Sequence, residues 1–124
     1  MNEDSQAPEA IAVIGMSGRF PGADGPDEFW QNLIAGKDSI TRFPGRTDAD
    51  GQRYVGARSV LSNTDKFDAS FFGIYPKEAE LMDPQHRIFL ECSWEALEDA
   101  GYDPAAYPGM IGVYAGLSLN TYLL

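Results

Sequence analysis

The sequence predicts an α/β fold, and three features of it carry that reading. Two short apolar runs, Ala10–Met16 (AIAVIGM) and Ile111–Leu117 (IGVYAGL), stand near the two ends of the chain. Neither run alternates apolar with polar residues, which is the pattern of strands buried on both faces beneath helices. The stretch between them carries helical patterns, so the order is strand, helices, strand.

The elements follow in chain order. Residues 1–9 read as a flexible lead, and residues 10–124 as one region with no internal linker or repeat. A first helix is expected from Pro26, whose missing N–H suits the first helical position. Asp27 and Glu28 then sit where the helix dipole favours acids. Phe29, Trp30, Leu33 and Ile34 make its apolar stripe, and Gly36 can close it in a left-handed conformation. Residues 40–75 show no clear period. A loop that long is unusual inside a domain, so it holds short strands or packs on a partner. Phe67, Phe71 and Phe72 are its expected anchors. A short helix is expected at Pro76 and a longer one from Pro84, capped by Asp83 and closed by Gly101. On the longer helix, Phe89, Leu90, Cys92, Trp94, Ala96, Leu97 and Ala100 sweep about 200° of the wheel. Glu91, Glu95, Glu98 and Asp99 share the remaining arc, read as a strip facing solvent.

The chain has 124 residues, one domain's worth or part of one, and a net charge of −10. That charge argues against nonspecific binding to nucleic acid or an anionic membrane. Six of the nine bases fall between Lys37 and Lys66, while Ile88–Leu124 holds five acids and no base. The basic window reads as a solvated loop. A hydrophobic content of 44% is ordinary for a folded protein. No run of apolar residues is long enough to span a bilayer. The single cysteine, Cys92, excludes an internal disulfide and fits a reducing compartment, and the acidic start is no secretory signal. A cytoplasmic location follows as the expectation.

Several catalytic motifs fail on spacing. Gly15-Met16-Ser17-Gly18 lacks the G-x-G-x-x-G of a dinucleotide site, and no G-K-[ST] of a P-loop occurs. The glycines read instead as a sharp turn at a strand's end. Ser17 and Ser118 each lack the second glycine of a nucleophile elbow. Cys92 and His86, the only thiol and the only imidazole, lie about 120° apart on one helix and do not share a face. Cys92 reads as a core residue. One Cys and one His fall short of a zinc site.

The strings IAVIGMSGRFPGA, DEFWQNLIAGKDSI, DKFDASFFGIYPKEAELMDPQHRIFLECSWEALEDAGYDP and IGVYAGLSLNTY, in that order, resemble the start of a β-ketoacyl synthase (ketosynthase) domain. The nearest type is that of modular polyketide synthases and hybrid polyketide–nonribosomal peptide lines. The resemblance runs from about Glu9 to Leu124. It implies the amino-terminal part of a thiolase-like fold, layered α-β-α-β-α and incomplete here, which dimerises with a second copy when whole. It also implies decarboxylative Claisen condensation. A growing chain passes to an active-site cysteine, and a malonyl-type extender on an acyl carrier protein loses CO₂ and attacks it. Two histidines assist. No cofactor is bound directly; phosphopantetheine belongs to the partner carrier protein.

The resemblance assigns no catalytic, cofactor or metal residue here. The family's nucleophile lies in a TACSS-type segment and its histidines in HGTGT-type and GH-type segments, and none of these occurs. Cys92 in ECSWEAL and His86 in DPQHR match no catalytic position; Asn120 and Thr121 match a common run without an assigned role. The expected partners are the remainder of a ketosynthase domain and an acyl carrier protein, with no nucleic acid and no membrane. Two functions follow: an inactive amino-terminal segment of a ketosynthase, or a non-enzymatic remnant that docks on an assembly line.

Overall fold

The computed structural model describes residues 10–118 and Tyr122. The lead over residues 1–9, and Asn120 and Thr121, lie outside the described residues. The first ordered feature is the corner at Phe20-Pro21-Gly22-Ala23. Phe20 and Ala23 exchange two backbone hydrogen bonds of 2.9 and 3.0 Å across it. Gly22 at φ +73° takes the position that a type II turn reserves for glycine, after proline. The Gly22 carbonyl accepts from Asn32 Nδ2 at 2.8 Å, and Phe20 stacks on Phe29 with ring centroids 4.2 Å apart. Turn and following helix are therefore one unit.

That helix is α1 (Pro26–Ile34). Pro26 and the acids Asp27 and Glu28 occupy its first turn as expected. Gly36 ends it at φ +64°, with Gly36 N bonded to Leu33 O and Lys37 N to Asn32 O, a Schellman closure. The residues between α1 and α2 resolve into four two-residue strands: β1 (Thr41–Arg42), β2 (Arg46–Thr47), β3 (Arg53–Tyr54) and β4 (Ala57–Arg58). β1 pairs antiparallel with β4, and β2 with β3. Arg46 lies over the Tyr54 ring and Arg58 over Phe43, so the arginines of the basic window cover its aromatics.

α2 (Pro76–Leu81) and α3 (Pro84–Asp99) follow. Asp83 caps α3 as expected, its Oδ1 accepting from Gln85 N at 2.7 Å. Gly101 at φ +70° closes it with a second Schellman pair, Gly101 N to Glu98 O and Tyr102 N to Leu97 O. The phenylalanine anchors hold the preceding segment against α3. Phe67 stacks on Phe72, Phe71 meets Phe72 edge to face, and Phe71 meets Trp94 edge to face at 4.9 Å.

Two expectations change. The runs at Ala10–Met16 and Ile111–Leu117 form no strand ladder among the described residues, and their side chains are not covered: Ile11 is 94% exposed and Tyr114 97%. A ladder needs a second strand in register, and no described residue pairs with either run as a strand. α3 is likewise half-covered rather than buried, with Phe89 and Trp94 exposed. Among the described residues the buried apolar side chains are Ala23 and Ala79 alone. The chain exposes 10659 Å². A self-contained globule of its mass would expose about 6,600 Å².

Candidate functional site

α3 organises what surrounds it. The end of the first apolar run and the residues just past it lie on its acidic strip, near the helix C-terminal end. Gly15 makes the approach possible: a Cβ there would fall 2.4 Å from Ala96 O and 2.7 Å from Ala100 N. Its role is this close contact, which corrects the expectation of a glycine needed for a sharp turn. Met16 N then donates to Asp99 Oδ2 at 2.9 Å. Ser17 Oγ donates to Glu95 Oε2. Arg19 forms a two-pronged pair with Glu95, NH1 to Oε2 at 2.8 Å and NH2 to Oε1. Arg19 NH1 also reaches Asp24 O at 3.2 Å, tying the pair to the Phe20–Ala23 corner.

The electrostatics follow from this geometry. The Arg19 hydrogen bonds hold the Glu95 carboxyl below the usual carboxylate range, with Ser17 adding to the effect against partial burial. Arg19 is pushed up in turn, chiefly by the same bond to Glu95. The strip read as solvent-facing is thus in part a docking edge. Glu95 and Asp99 stand four residues apart on one helix row, and the polar residues just past the apolar run meet them. That spacing was present in the sequence; the pairing was not, because 76 residues separate Arg19 from Glu95. The same two carboxylates oppose any phosphate at this turn.

A cleft of about 340 Å³ beside the pair is lined by Arg19, Asp24, Ser62, Lys66, Glu91 and Glu95, among others. Its charges are mixed, and it holds neither thiol nor imidazole. Cys92 is free and half-buried on α3, and His86 is exposed in the first turn. The helix keeps them on different faces, so they form no nucleophile–base pair. Among the described residues no group of three or more His, Cys, Asp or Glu could hold a metal ion, and no helix is long and apolar enough to cross a membrane.

Residues 8–123 match the family model described as β-ketoacyl synthase, N-terminal domain. The chain belongs to the β-ketoacyl synthase family. Its curated relatives are polyketide synthases. A phenolphthiocerol/phthiocerol polyketide synthase of Mycobacterium tuberculosis is 51% identical over 93% of this chain and 8% of its own length. Polyketide synthase PksL of Bacillus subtilis is 42% identical over 94% of this chain and 3% of its own. Among solved structures, the ketosynthase from module 6 of the Bacillus subtilis bacillaene synthase superposes with a TM-score of 0.66 at 46% identity. It covers 77% of this chain and 17% of that one. The Streptomyces albus oxazolomycin ketosynthase domain OzmH KS7 gives 0.65 at 40% identity, over 76% and 18%. The fold is therefore the amino-terminal part of the ketosynthase architecture, and the resemblance carried by FPGA, FDASFFGI and MDPQHR is borne out. The chain spans less than a tenth of these two curated polyketide synthases and less than a fifth of the two solved ketosynthase chains. In this β-ketoacyl synthase segment, those three strings form the corner on α1, the aromatic anchor on α3, and the capped start of α3.

Proposed function

We propose that this chain is amino-terminal scaffold for a ketosynthase that condenses acyl thioesters with malonyl-type extenders borne by an acyl carrier protein, and that alone it performs no condensation. The carrying observation is the pairing of a ketosynthase match over residues 8–123 with the uncovered state of the structure. Among the described residues both apolar runs lack ladders, and the exposed area exceeds that of a self-contained globule of this mass by about half or more. A reactive thiol needs an adjacent base or another group that lowers its pKa. Cys92 has no imidazole on its face of α3, which supports an inactive segment. The substrate would arrive on the phosphopantetheine arm of the carrier, the nucleophile and both histidines would come from the remaining polypeptide, and the whole domain would pair with a second copy. The lone thiol supports a cytoplasmic setting.

The test mixes the chain with a polypeptide carrying the remainder of a ketosynthase domain, an acyl thioester and a malonyl-loaded carrier protein. The expected result is β-ketoacyl product from the mixture and none from the chain alone. Condensation by the chain alone overturns the proposal. Tight association without product in an otherwise competent mixture moves the chain to a docking role.

A further inference from the structure

Arg87 carries a charge that no described carboxylate answers. It is 6% exposed, and its Nε is buried without a hydrogen-bond partner. Among the described residues no ion pair reaches the guanidinium. Its recorded neighbour is the ring of Tyr122, whose centroid lies 5.7 Å from Cζ. A cation–π contact offsets only part of the cost of removing a full charge from water.

The carboxylates one helical turn away are committed elsewhere. Asp83 caps α3, accepting from Gln85 N and from Gln85 Nε2. Glu91 lines the cleft that holds Arg19 and Lys66. Around Arg87 the chain is nonetheless ordered by polar contacts: Ser118 N donates to Gln85 Oε1 at 3.2 Å, and Tyr122 Oη donates to Glu80 O at 3.2 Å. Ser118 and Tyr122 thus lie against the first turn of α3 and the end of α2, where Arg87 lies.

We infer that Arg87 receives a carboxylate from the polypeptide that completes the ketosynthase fold. This rests on the scaffold reading above, since the match leaves more than four-fifths of the solved ketosynthase chain to supply the acceptor. Two features select a carboxylate. The unmet edge includes Nε, and Nε with a terminal nitrogen forms the fork that a carboxylate binds with both oxygens. A backbone carbonyl would satisfy one N–H and leave the charge uncancelled. Arg87 is a positioning residue in this account: it fixes how the completing polypeptide seats on α3.

Association of the chain with the remainder of a ketosynthase domain is measured by calorimetry for wild type, Arg87→Met and Arg87→Lys. Arg87→Met is expected to weaken association by about tenfold or more, and Arg87→Lys to restore only part, because an ammonium cannot make the fork. In the free chain, Arg87→Met is expected to leave the thermal midpoint unchanged or raise it, since it removes an unanswered buried charge. Equal association of wild type and Arg87→Met overturns the inference while the scaffold reading stands. No association of the wild type overturns both. A lowered midpoint in the free chain shows that Arg87 is already answered there and overturns the inference. A wild-type advantage that persists undiminished to about pH 3 overturns the choice of a carboxylate.

Discussion

Gly15→Ala tests the contact between the first apolar run and α3. The added Cβ would meet Ala96 O at 2.4 Å, Ala100 N at 2.7 Å and Ala100 Cβ at 2.9 Å. Two of these atoms are helix backbone and cannot rotate away, so the turn must lift or the helix end must bend. Forcing one methyl into a filled space costs about 1–3 kcal/mol. Lifting the turn also loses the Met16 N bond to Asp99, worth about 0.5–1.5 kcal/mol. The expected loss is about 1.5–4.5 kcal/mol, concentrated at the contact and the last two turns of α3. Gly116→Ala is the control, because a Cβ there meets nothing within 4 Å; it should change stability by less than about 0.5 kcal/mol. Amide hydrogen exchange resolves the difference locally, at Met16 and at residues 96–102. Equal protection in the two variants would refute the close-contact reasoning.

Glu95→Gln should destabilise by about 0.2–1 kcal/mol, because the pair with Arg19 is partly exposed and screened by solvent. The pair's contribution should be full above the ordinary carboxylate range and fade as pH falls through the lowered value of Glu95. Urea titrations across that window, with Glu95→Gln losing the pH dependence, check the sign. Asp83→Ala should cost about 0.5–2 kcal/mol and shorten α3 at its start, read by far-UV circular dichroism, while Asp83→Asn should keep most of the cap. Phe71→Ala should remove the edge-to-face contact with Trp94, worth about 0.5–1.5 kcal/mol beyond the area it covers. The segment before α2 should then be cut faster in limited proteolysis, with a changed Trp94 fluorescence maximum.

What the sequence made legible was decided by neighbours a few residues apart. Pro26 and Gly36 bound α1, and Asp83 and Gly101 bound α3, because a cap is a contact within a single turn of chain. The Phe67–Phe72 cluster was legible for the same reason, although its landing on Trp94 was not. Short strands within residues 40–75 were one of two expected alternatives, but their positions were not legible, since a two-residue ladder leaves no periodic trace. Arg19 with Glu95, and Gly15 with Ala96, depend on how remote segments approach. The membership of the β-ketoacyl synthase family was legible because its marks, the FPGA corner and the Asp83 cap among them, are local structures themselves.

The uncovered apolar groups fall in two sets with different needs. On α1, Trp30, Leu33 and Ile34 are exposed side chains on a helix whose backbone is already paired, so any apolar surface can cover them. The runs at residues 10–16 and 111–117 carry exposed side chains and also unladdered backbone, which is left to water here and matches what a further strand could pair. Ile14, Ile111 and Val113 border one groove over α3 with Phe89 and Leu97, so both runs already face the same helix. Gly15 and the Arg19–Glu95 pair hold the first run there. The helix side of an α/β layer can thus be set by a glycine contact and an ion pair while the sheet side stays open among the described residues.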